Sequence, residues 1–240
     1  MSRARQHRNA YYLVILISLA FFTEIFWLRL FSPLENRLSD ALIAVHTRVL
    51  EPGYEPDPDI VIVDIDERSL GLLAESVGRW PWPRAMHAEL LQGIEQQNPR
   101  AVVFDVLFSD PDLTRPESDA YFATIIADSR HSFFPMLRLN TADHSQGIPL
   151  VEYGAYLGAV ATESADPDAK VAMVLPLPAM LETGRLGTHN ALADKDGVVR
   201  RYPMYFDESG WHLPSLPLTV AKHLGFEGVT QESEIILNWH

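Results

Sequence analysis

Residues 101–108 read AVVFDVLF, and this short stretch decides the predicted fold. Asp105 is its one polar residue, so the apolar residues form a nearly continuous run instead of alternating with polar ones. A strand covered on both faces of a parallel sheet has this pattern, whereas a strand with one face in water alternates. We therefore predict a buried parallel strand from Ala101 to Phe108.

Strand and helix patterns alternate on both sides of this segment. IVIVDI at Ile60–Ile65 predicts an earlier buried strand, and HSFFPML at 131–137 predicts a later, less regular one. Helical patterns lie between them: one that Asp66 would cap, one that begins at Pro83 and one that Ser118 would cap. This order predicts an α/β domain whose mainly parallel sheet is flanked by helices.

The second half of the chain has a more antiparallel character. The sequences DKDG at Asp194–Gly197 and DESG at Asp207–Gly210 are typical of hairpin turns. A helix is predicted from Pro214 to Leu224, and the apolar run EIILNW predicts a last strand. No segment follows that could pair with this strand, so we expect the domain to be incomplete at its C-terminus. Further strands are predicted around 171–175, 186–191 and 198–206.

The N-terminal segment is predicted to cross a membrane. Residues 1–9 form a basic tail with three arginines and no acidic residue, which predicts a cytoplasmic N-terminus. Residues 10–31, AYYLVILISLAFFTEIFWLRLF, would extend roughly 33 Å as a transmembrane helix. A cleaved signal peptide is disfavoured, because TEIFWLRLFSPLENR has no small-x-small cleavage site. A buried soluble helix stays open, because the charge-free run ends at Thr23, before Glu24.

Residues 32–58 are predicted to form a juxtamembrane helix and a linker, so that the outward domain spans residues 59–240. In LENRLSDALIAVHTRVL the apolar residues recur at helical spacing and form one stripe. Such a stripe packs on its own domain or contacts a second copy, and we expect a homodimer through the membrane and juxtamembrane helices. EPGYEPDPD then stops the helix. The stripe consists of Leu34, Leu38, Ala41, Leu42, Val45 and Val49.

The composition excludes several classes of partner and of site. The 240 residues carry a formal net charge of -13 and include no cysteine. A body this acidic repels phosphate backbones, which argues against a nucleic-acid partner. Without cysteine, disulfides, thiolate catalysis and Cys-based zinc sites are excluded. The chain also lacks a phosphate-binding loop, a dinucleotide fingerprint and a serine-hydrolase elbow, so we predict no catalytic residue and no cofactor.

Acidic residues lie on or directly after the predicted strands, toward the carboxyl ends where ligands of open parallel sheets bind. Their oxygen atoms suit a hard cation, but the same residues can also cap helices, shape loops or accept backbone hydrogen bonds, so metal binding stays open. DKDG resembles a fragment of a calcium loop without its distant glutamate. The candidate ligand-binding acids are Asp64, Asp66, Asp105 and Asp110, with Asp112 beside them.

GRWPWPR at Gly78–Arg84 is an unusual, rigid stretch that adds Trp80, Trp82 and Arg84 to the candidate ligand-binding residues. In one interpretation the tryptophans form a recognition surface, and Arg84 binds a strand-end carboxylate through two hydrogen bonds. In the other they cover the sheet edge, and Arg84 neutralises a buried aspartate. Both interpretations predict that Arg84→Ala destabilises the domain.

Several motifs in this order resemble the second class of CHASE domain: DIVIVDIDERSL, GRWPWPR, AVVFDVLFSDPD, DKDGVVRRYP and LPSLPL. The resemblance covers most of Leu34–His240. In that family an extracytoplasmic sensory domain follows a membrane helix and precedes further membrane helices and a cytoplasmic output module. The family pattern continues past the point where this chain ends, and it transfers no catalytic residue.

The resemblance implies a sensory region of a receptor in the bacterial inner membrane, with a cytoplasmic N-terminus and a periplasmic main domain. The region would bind an unknown small molecule or respond to an envelope signal. It would control an output outside this chain, either an adenylate or guanylate cyclase or a histidine kinase. Two other functions stay open: a periplasmic enzyme using Asp64, Asp66 and Asp105 as acid/base groups or metal ligands, and a membrane-anchored scaffold or adhesion domain.

Overall fold

The computed structural model describes residues 3–23, 32–45, 57–139, 144, 146–226 and 233–237. Within these residues the protein is a mixed α/β structure with eight helices and several small sheets. It divides into two compact units, Met1–Ile62 with Asn238–His240, and Val63–Leu237.

The first unit contains two described helices, α1 (Arg3–Thr23) and α2 (Ser32–Val45). Every side chain from Tyr11 to Phe22 is exposed, although most of them are apolar. The helices that the structure describes include none with the length and apolar character needed to cross a membrane. Residues 24–31 of the predicted membrane segment lie outside the described residues. The membrane helix therefore stays a prediction.

The second unit alternates helices and short strands. Its helices are α3 (Glu67–Leu73), α4 (Arg84–Glu95), α5 (Pro116–Asp128), α6 (Leu150–Tyr153), α7 (Pro178–Leu181) and α8 (Leu216–His223). Its strands are β1 (Val102–Val103), β2 (Ser132–Arg138), β3 (Ile148–Pro149), β4 (Val160–Ala161), β5 (Lys170–Val171), β6 (Met173–Val174), β7 (Leu186–Thr188), β8 (Arg201–Pro203), β9 (Tyr205–Glu208), β10 (Trp211–Pro214) and β11 (Glu234–Ile236). The predicted α/β class is confirmed.

Strand β2 is the centre of the main sheet. Strands β1 and β7 pair with it in parallel, and β6 pairs antiparallel with its end. The amide of Phe104 donates to the carbonyl of Phe133 at 3.0 Å. The amide of Phe134, one residue further along β2, donates to the carbonyl of Arg185 at 3.0 Å. Because successive strand residues direct these groups to opposite edges, β1 and β7 lie on the two sides of β2.

The predicted strands of the main sheet differ in length from the observed ones. The strand predicted at 131–137 is confirmed as β2, whose first five residues are buried. The strand predicted at 101–108 forms only as β1, which has β2 as its one neighbour among the described strands. Val102 and Phe104 are buried, whereas Val103 is 49% exposed. Strand β1 is therefore an edge strand and not one covered on both faces.

The strand predicted at Ile60–Ile65 is wrong for the described structure. These residues form no strand, and the side chains of Ile60, Val61, Ile62 and Val63 are more than half exposed. A strand needs a neighbour to satisfy its backbone amides, and no described strand pairs with this segment. The apolar run indicates a preference for burial, but it does not supply the neighbouring strand.

The second half is largely antiparallel, as predicted. The DESG turn joins β9 to β10, which pair over four residues. In the DKDG turn the amide of Asp194 donates to the carbonyl of Val198 at 2.9 Å, but no described strand adjoins either end of the turn, so the predicted hairpin is not seen in this part of the structure. The predicted last strand forms as β11, which pairs antiparallel with β8. Its partner precedes it in the chain instead of following it.

Aromatic side chains form the centre of the core. Phe104 stacks on Phe134 with ring centroids 5.1 Å apart, and Phe108 meets Phe122 edge to face at 5.2 Å. All four are buried. Since Phe122 belongs to α5 and Phe134 to β2, this cluster joins the helix layer to the sheet. Burial of each such ring stabilises the fold by about 1.5–3 kcal/mol.

Candidate functional site

The carboxyl ends of β1, β2 and β7 meet at one edge of the main sheet. Asp105 lies two residues after β1, and His189 directly follows β7. The Oδ1 atom of Asp105 lies 3.0 Å from Nε2 of His189. The two side chains therefore meet from the two strands that flank β2. Asp105 lies where the strand-end rule places a ligand-binding residue.

A cleft of about 190 Å³ opens beside this pair, and we name it the strand-edge cleft. Residues from β2 line it together with residues that follow the two neighbouring strands. The side chain of Asp105 is 82% exposed and that of His189 is 50% exposed, so both are accessible to a solute. The lining residues are Asp105, Leu107, Pro135, Met136, Leu137 and His189.

The charges around the strand-edge cleft favour a negative potential. Arg138, at the end of β2, forms an ion pair with Glu208, and its guanidinium lies 5.3 Å from the centre of the Phe206 ring. Its charge is therefore balanced locally. Burial raises the pKa of Tyr202, and the negative charge of Asp105 raises it further. The cleft lining contains no arginine or lysine that would balance the charge of the Asp105 carboxylate.

Asn190 fixes the backbone next to the cleft. Its side-chain oxygen accepts from the amide of Arg138 at 2.8 Å, and its side-chain nitrogen donates to the carbonyl of Arg138 at 2.7 Å. The amide of His189 also donates to the carbonyl of Met136 at 2.9 Å. These bonds hold the backbone of the residues after β7 against β2, which places His189 at the end of that strand pair.

The predicted acids before the first helix do not reach this cleft. Asp66 caps α3 and accepts from the amide of Ser69 at 2.8 Å and from its hydroxyl at 2.7 Å. The Ser69 hydroxyl and amide lower the pKa of Asp66. Asp64 is exposed and has no hydrogen bond or ion pair within the described ranges. The geometry therefore does not assemble Asp64, Asp66 and Asp105 into one set of acid/base groups.

The acids after β1 shape the following loop. Asp112 accepts from the hydroxyl of Thr114 at 2.6 Å and from Nε of Arg115 at 2.8 Å. These donors lower the pKa of Asp112, with the Thr114 hydroxyl contributing most. Asp110 accepts from the Ser109 hydroxyl at 3.0 Å. Asp112 thus serves the loop, which is the structural alternative considered from the sequence.

Arg84 pairs with an aspartate of α5, as in the structural interpretation of this stretch, and not with a strand-end carboxylate. Its guanidinium donates to the carbonyl of Asp110 at 3.2 Å, and its Nε lies 3.9 Å from Oδ1 of Asp119. Neither Nε nor Oδ1 has a hydrogen-bond partner within the described residues. The guanidinium also lies 4.9 Å from the centre of the Phe108 ring. Arg84 therefore neutralises an aspartate in the helix layer, and the predicted bidentate contact with a strand-end carboxylate is not formed.

Replacing Arg84 by alanine is expected to lower the free energy of unfolding by about 1–3 kcal/mol. Asp119 would lose its counter-charge, and the Asp110 carbonyl would lose a donor. Urea unfolding of the full chain in detergent micelles measures the change. Arg79→Ala is the matched control, because Arg79 is exposed. Equal losses in the two variants would contradict the role of Arg84.

The tryptophans of GRWPWPR surround a buried histidine of α4. Trp82 is buried and Trp80 is 44% exposed, with ring centroids 5.5 Å apart. His87 is 2% exposed, and its ring centroid lies 4.9 Å from that of Phe108. Burial, and then the positive charge of Arg84, lower the pKa of His87 to about 4. His87 and Trp82 thus belong to the core, which supports the structural interpretation of this stretch.

Acid is expected to destabilise the protein through His87. Because its pKa is near 6.5 when unfolded and about 4 when folded, the unfolded state takes up the proton first as pH falls. The loss of stability therefore develops between about pH 6.5 and 4, and reaches about 3 kcal/mol. Urea unfolding between pH 7 and 4 should show a smaller pH dependence for His87→Phe. Gln92→Ala, at an exposed and non-titrating position of the same helix, should keep the wild-type dependence, and an unchanged slope in His87→Phe would refute the assignment.

The acids of DKDG bind an arginine. Arg200, which is buried, contacts Asp194 at 2.9 Å and Asp196 at 2.8 Å. Hydrogen bonds from Arg200 lower the pKa of Asp196 to about 2. The guanidinium thus occupies the place that a cation would take in a calcium loop. Across the described part of the chain, no group of three or more histidine or acidic side chains could hold a metal ion.

A second cavity of about 280 Å³ lies between α5 and α7, and its lining is apolar apart from Asp119. The strand-edge cleft offers two exposed polar side chains that converge, and is therefore the candidate site.

Two residues of these contacts, His189 and Asp119, were not predicted from the sequence. His189 could have been found from the strand-end rule if the predicted strand at 186–191 had ended at Thr188. No sequence pattern indicated that Asp119 faces Arg84.

The CHASE2 domain model matches residues 13–240 of the chain. No curated protein and no solved structure matches it.

Proposed function

The chain belongs to the CHASE2 family of extracytoplasmic sensory domains of signalling receptors, and from this premise we propose that it senses a periplasmic signal for a cytoplasmic output module. The family role is sensory and not catalytic. The observation that carries the proposal is the match over residues 13–240, which includes nearly the whole chain. The output would be a nucleotide cyclase or, as the second choice, a histidine kinase.

The proposal places the chain in the bacterial inner membrane, with residues 10–31 as the anchor and the N-terminus in the cytoplasm. The exposure of every side chain from Tyr11 to Phe22 supports an anchor, because an exposed helix that is apolar all round requires an apolar environment. The arginines of residues 1–9 support a cytoplasmic tail.

Cysteine labelling tests this topology, since the chain has no cysteine of its own. Asp128→Cys, at an exposed position in the second unit, should react with a membrane-impermeant maleimide in cells whose outer membrane has been permeabilised. Ser2→Cys, in the basic tail, should react only after the inner membrane is lysed. The reverse pattern would overturn the proposed orientation.

A homodimer through α2 is part of the proposal. Leu38, Leu42 and Val45 are more than half exposed, and their spacing of four and three residues is typical of a helix–helix seam. In a disulfide crosslinking experiment on membranes, Leu42→Cys should form a covalent dimer. Asp40→Cys, at an exposed position nearly opposite Leu42 on α2, is the control. Equal crosslinking at both positions would argue against a defined seam.

The output is tested in membranes that contain the complete receptor. Synthesis of cyclic AMP or cyclic GMP would support a cyclase, whereas transfer of the γ-phosphate of ATP to a histidine would support a kinase. If neither activity changes between wild type and a variant with a disrupted sensory domain, such as Gly187→Ala, control of such an output is refuted.

A further inference from the structure

The strand-edge cleft has the form of a small-molecule site. Residues Pro135–Leu137 of β2 lie between the segments that carry Asp105 and His189, so the cleft has a rigid strand beneath it and a polar pair beside it. Its volume of about 190 Å³ lies below the range of roughly 300–1,000 Å³ for sites of drug-sized ligands. A ligand for this cleft is therefore smaller than a typical drug.

The charge of the cleft favours a ligand of positive charge. Its lining contains one carboxylate and one imidazole but neither lysine nor arginine. Arg138 is paired with Glu208 and does not offset Asp105. With a net charge of -13 on the whole chain, the cleft attracts cations and repels anions.

The hydrogen-bonding capacity of Asp105 is not exhausted. A carboxylate offers about four acceptor positions, and within the described residues His189 is the one partner of its side chain. A hard metal ion would require several more oxygen ligands than the cleft lining provides. An ammonium group needs only acceptors, so an organic cation satisfies the free positions where a metal ion does not.

The remaining lining is apolar. Leu107 and Leu137, both partly exposed, offer hydrocarbon surface beside the polar pair. We propose that the strand-edge cleft binds a small organic amine, with its ammonium group on Asp105 and its hydrocarbon chain against Leu107 and Leu137. The functional consequence is that amine binding is the signal, and this consequence rests on the proposed sensory function.

Saturation-transfer NMR on the full chain in detergent micelles tests the site with three probes that share one hydrocarbon chain: butylammonium, 1-butanol and butyrate. Empty micelles give the background. Butylammonium should show saturable binding, and butyrate should show none. In Asp105→Asn the affinity for butylammonium should fall about tenfold or more, because a charge-assisted hydrogen bond is lost. The exposure of Asp105 predicts an unchanged melting temperature.

Asp128→Asn is the matched control, because it removes the same charge at the end of α5, where the chain enters β2 at the opposite edge of the sheet. It should bind butylammonium as the wild type does. Equal binding of butylammonium and butyrate, or unchanged binding in Asp105→Asn, would overturn the amine site. That outcome would not contradict the sensory function, because cysteine labelling and the output of the complete receptor test that function separately.

Discussion

Gly187→Ala is expected to prevent stable folding of the second unit. Gly187 is buried in β7, and a Cβ atom there would lie 2.3 Å from Cα and 2.4 Å from N of Leu216. These are backbone atoms at the start of α8, so no flexible side chain can move aside. The hydroxyl of Thr188 donates to the carbonyl of Pro214 at 3.2 Å, which holds β7 against the same segment. We expect a loss of more than about 4 kcal/mol.

Circular dichroism during thermal unfolding of the full chain measures this effect. Gly93→Ala is the matched control: it makes the same chemical change within α4, where a Cβ atom would meet nothing within 4 Å. That variant should be stabilised by about 0.5–1 kcal/mol, because alanine has the higher helix propensity. A wild-type melting temperature for Gly187→Ala would mean that β7 and α8 are less closely packed than the structure indicates.

The sequence predicted those elements whose own residues determine them. The run FFPM in β2 is apolar and buried, and its burial follows from its composition. Asp66 caps α3 through Ser69, a local interaction that spacing alone reveals. Both predictions rest on residues within one segment, where periodicity and capping chemistry act directly.

Elements that depend on a distant partner could not be predicted in the same way. Ile60–Ile65 resembles β2 in composition, but no described strand pairs with it. Strand β11 finds its partner in β8, which precedes it by about thirty residues. The pairing of a strand is a tertiary property, so an apolar run gives its tendency to be buried and not its neighbour.

The same distinction between local and partner-dependent features applies to the candidate site. Asp105 was predicted because it lies on a predicted strand of the parallel sheet, and position along the sequence was enough. His189 and Asp119 were missed because their roles depend on which strand or helix lies opposite them. Arg84 was expected to neutralise an aspartate or bind a strand-end carboxylate, and only the packing of α4 against α5 identifies Asp119 as its partner.

Arg138→Met is expected to lower the free energy of unfolding by about 3–5 kcal/mol, because it leaves the buried carboxylate of Glu208 without its counter-charge. The double variant Arg138→Met/Glu208→Met should recover most of this loss, since an apolar pair of similar volume replaces a buried ion pair at little cost. Urea unfolding of the two variants and of Glu208→Met completes a double-mutant cycle. A small coupling free energy would contradict the importance of the pair.

Arg201→Met is the control, because Arg201 is 46% exposed and lies 3.5 Å or more from its acidic partners. Its loss should stay below about 1 kcal/mol. Arg138 differs because Asn190 holds its backbone at the β7 side while Glu208 of β9 holds its side chain. It therefore ties the end of β2 to two neighbouring segments.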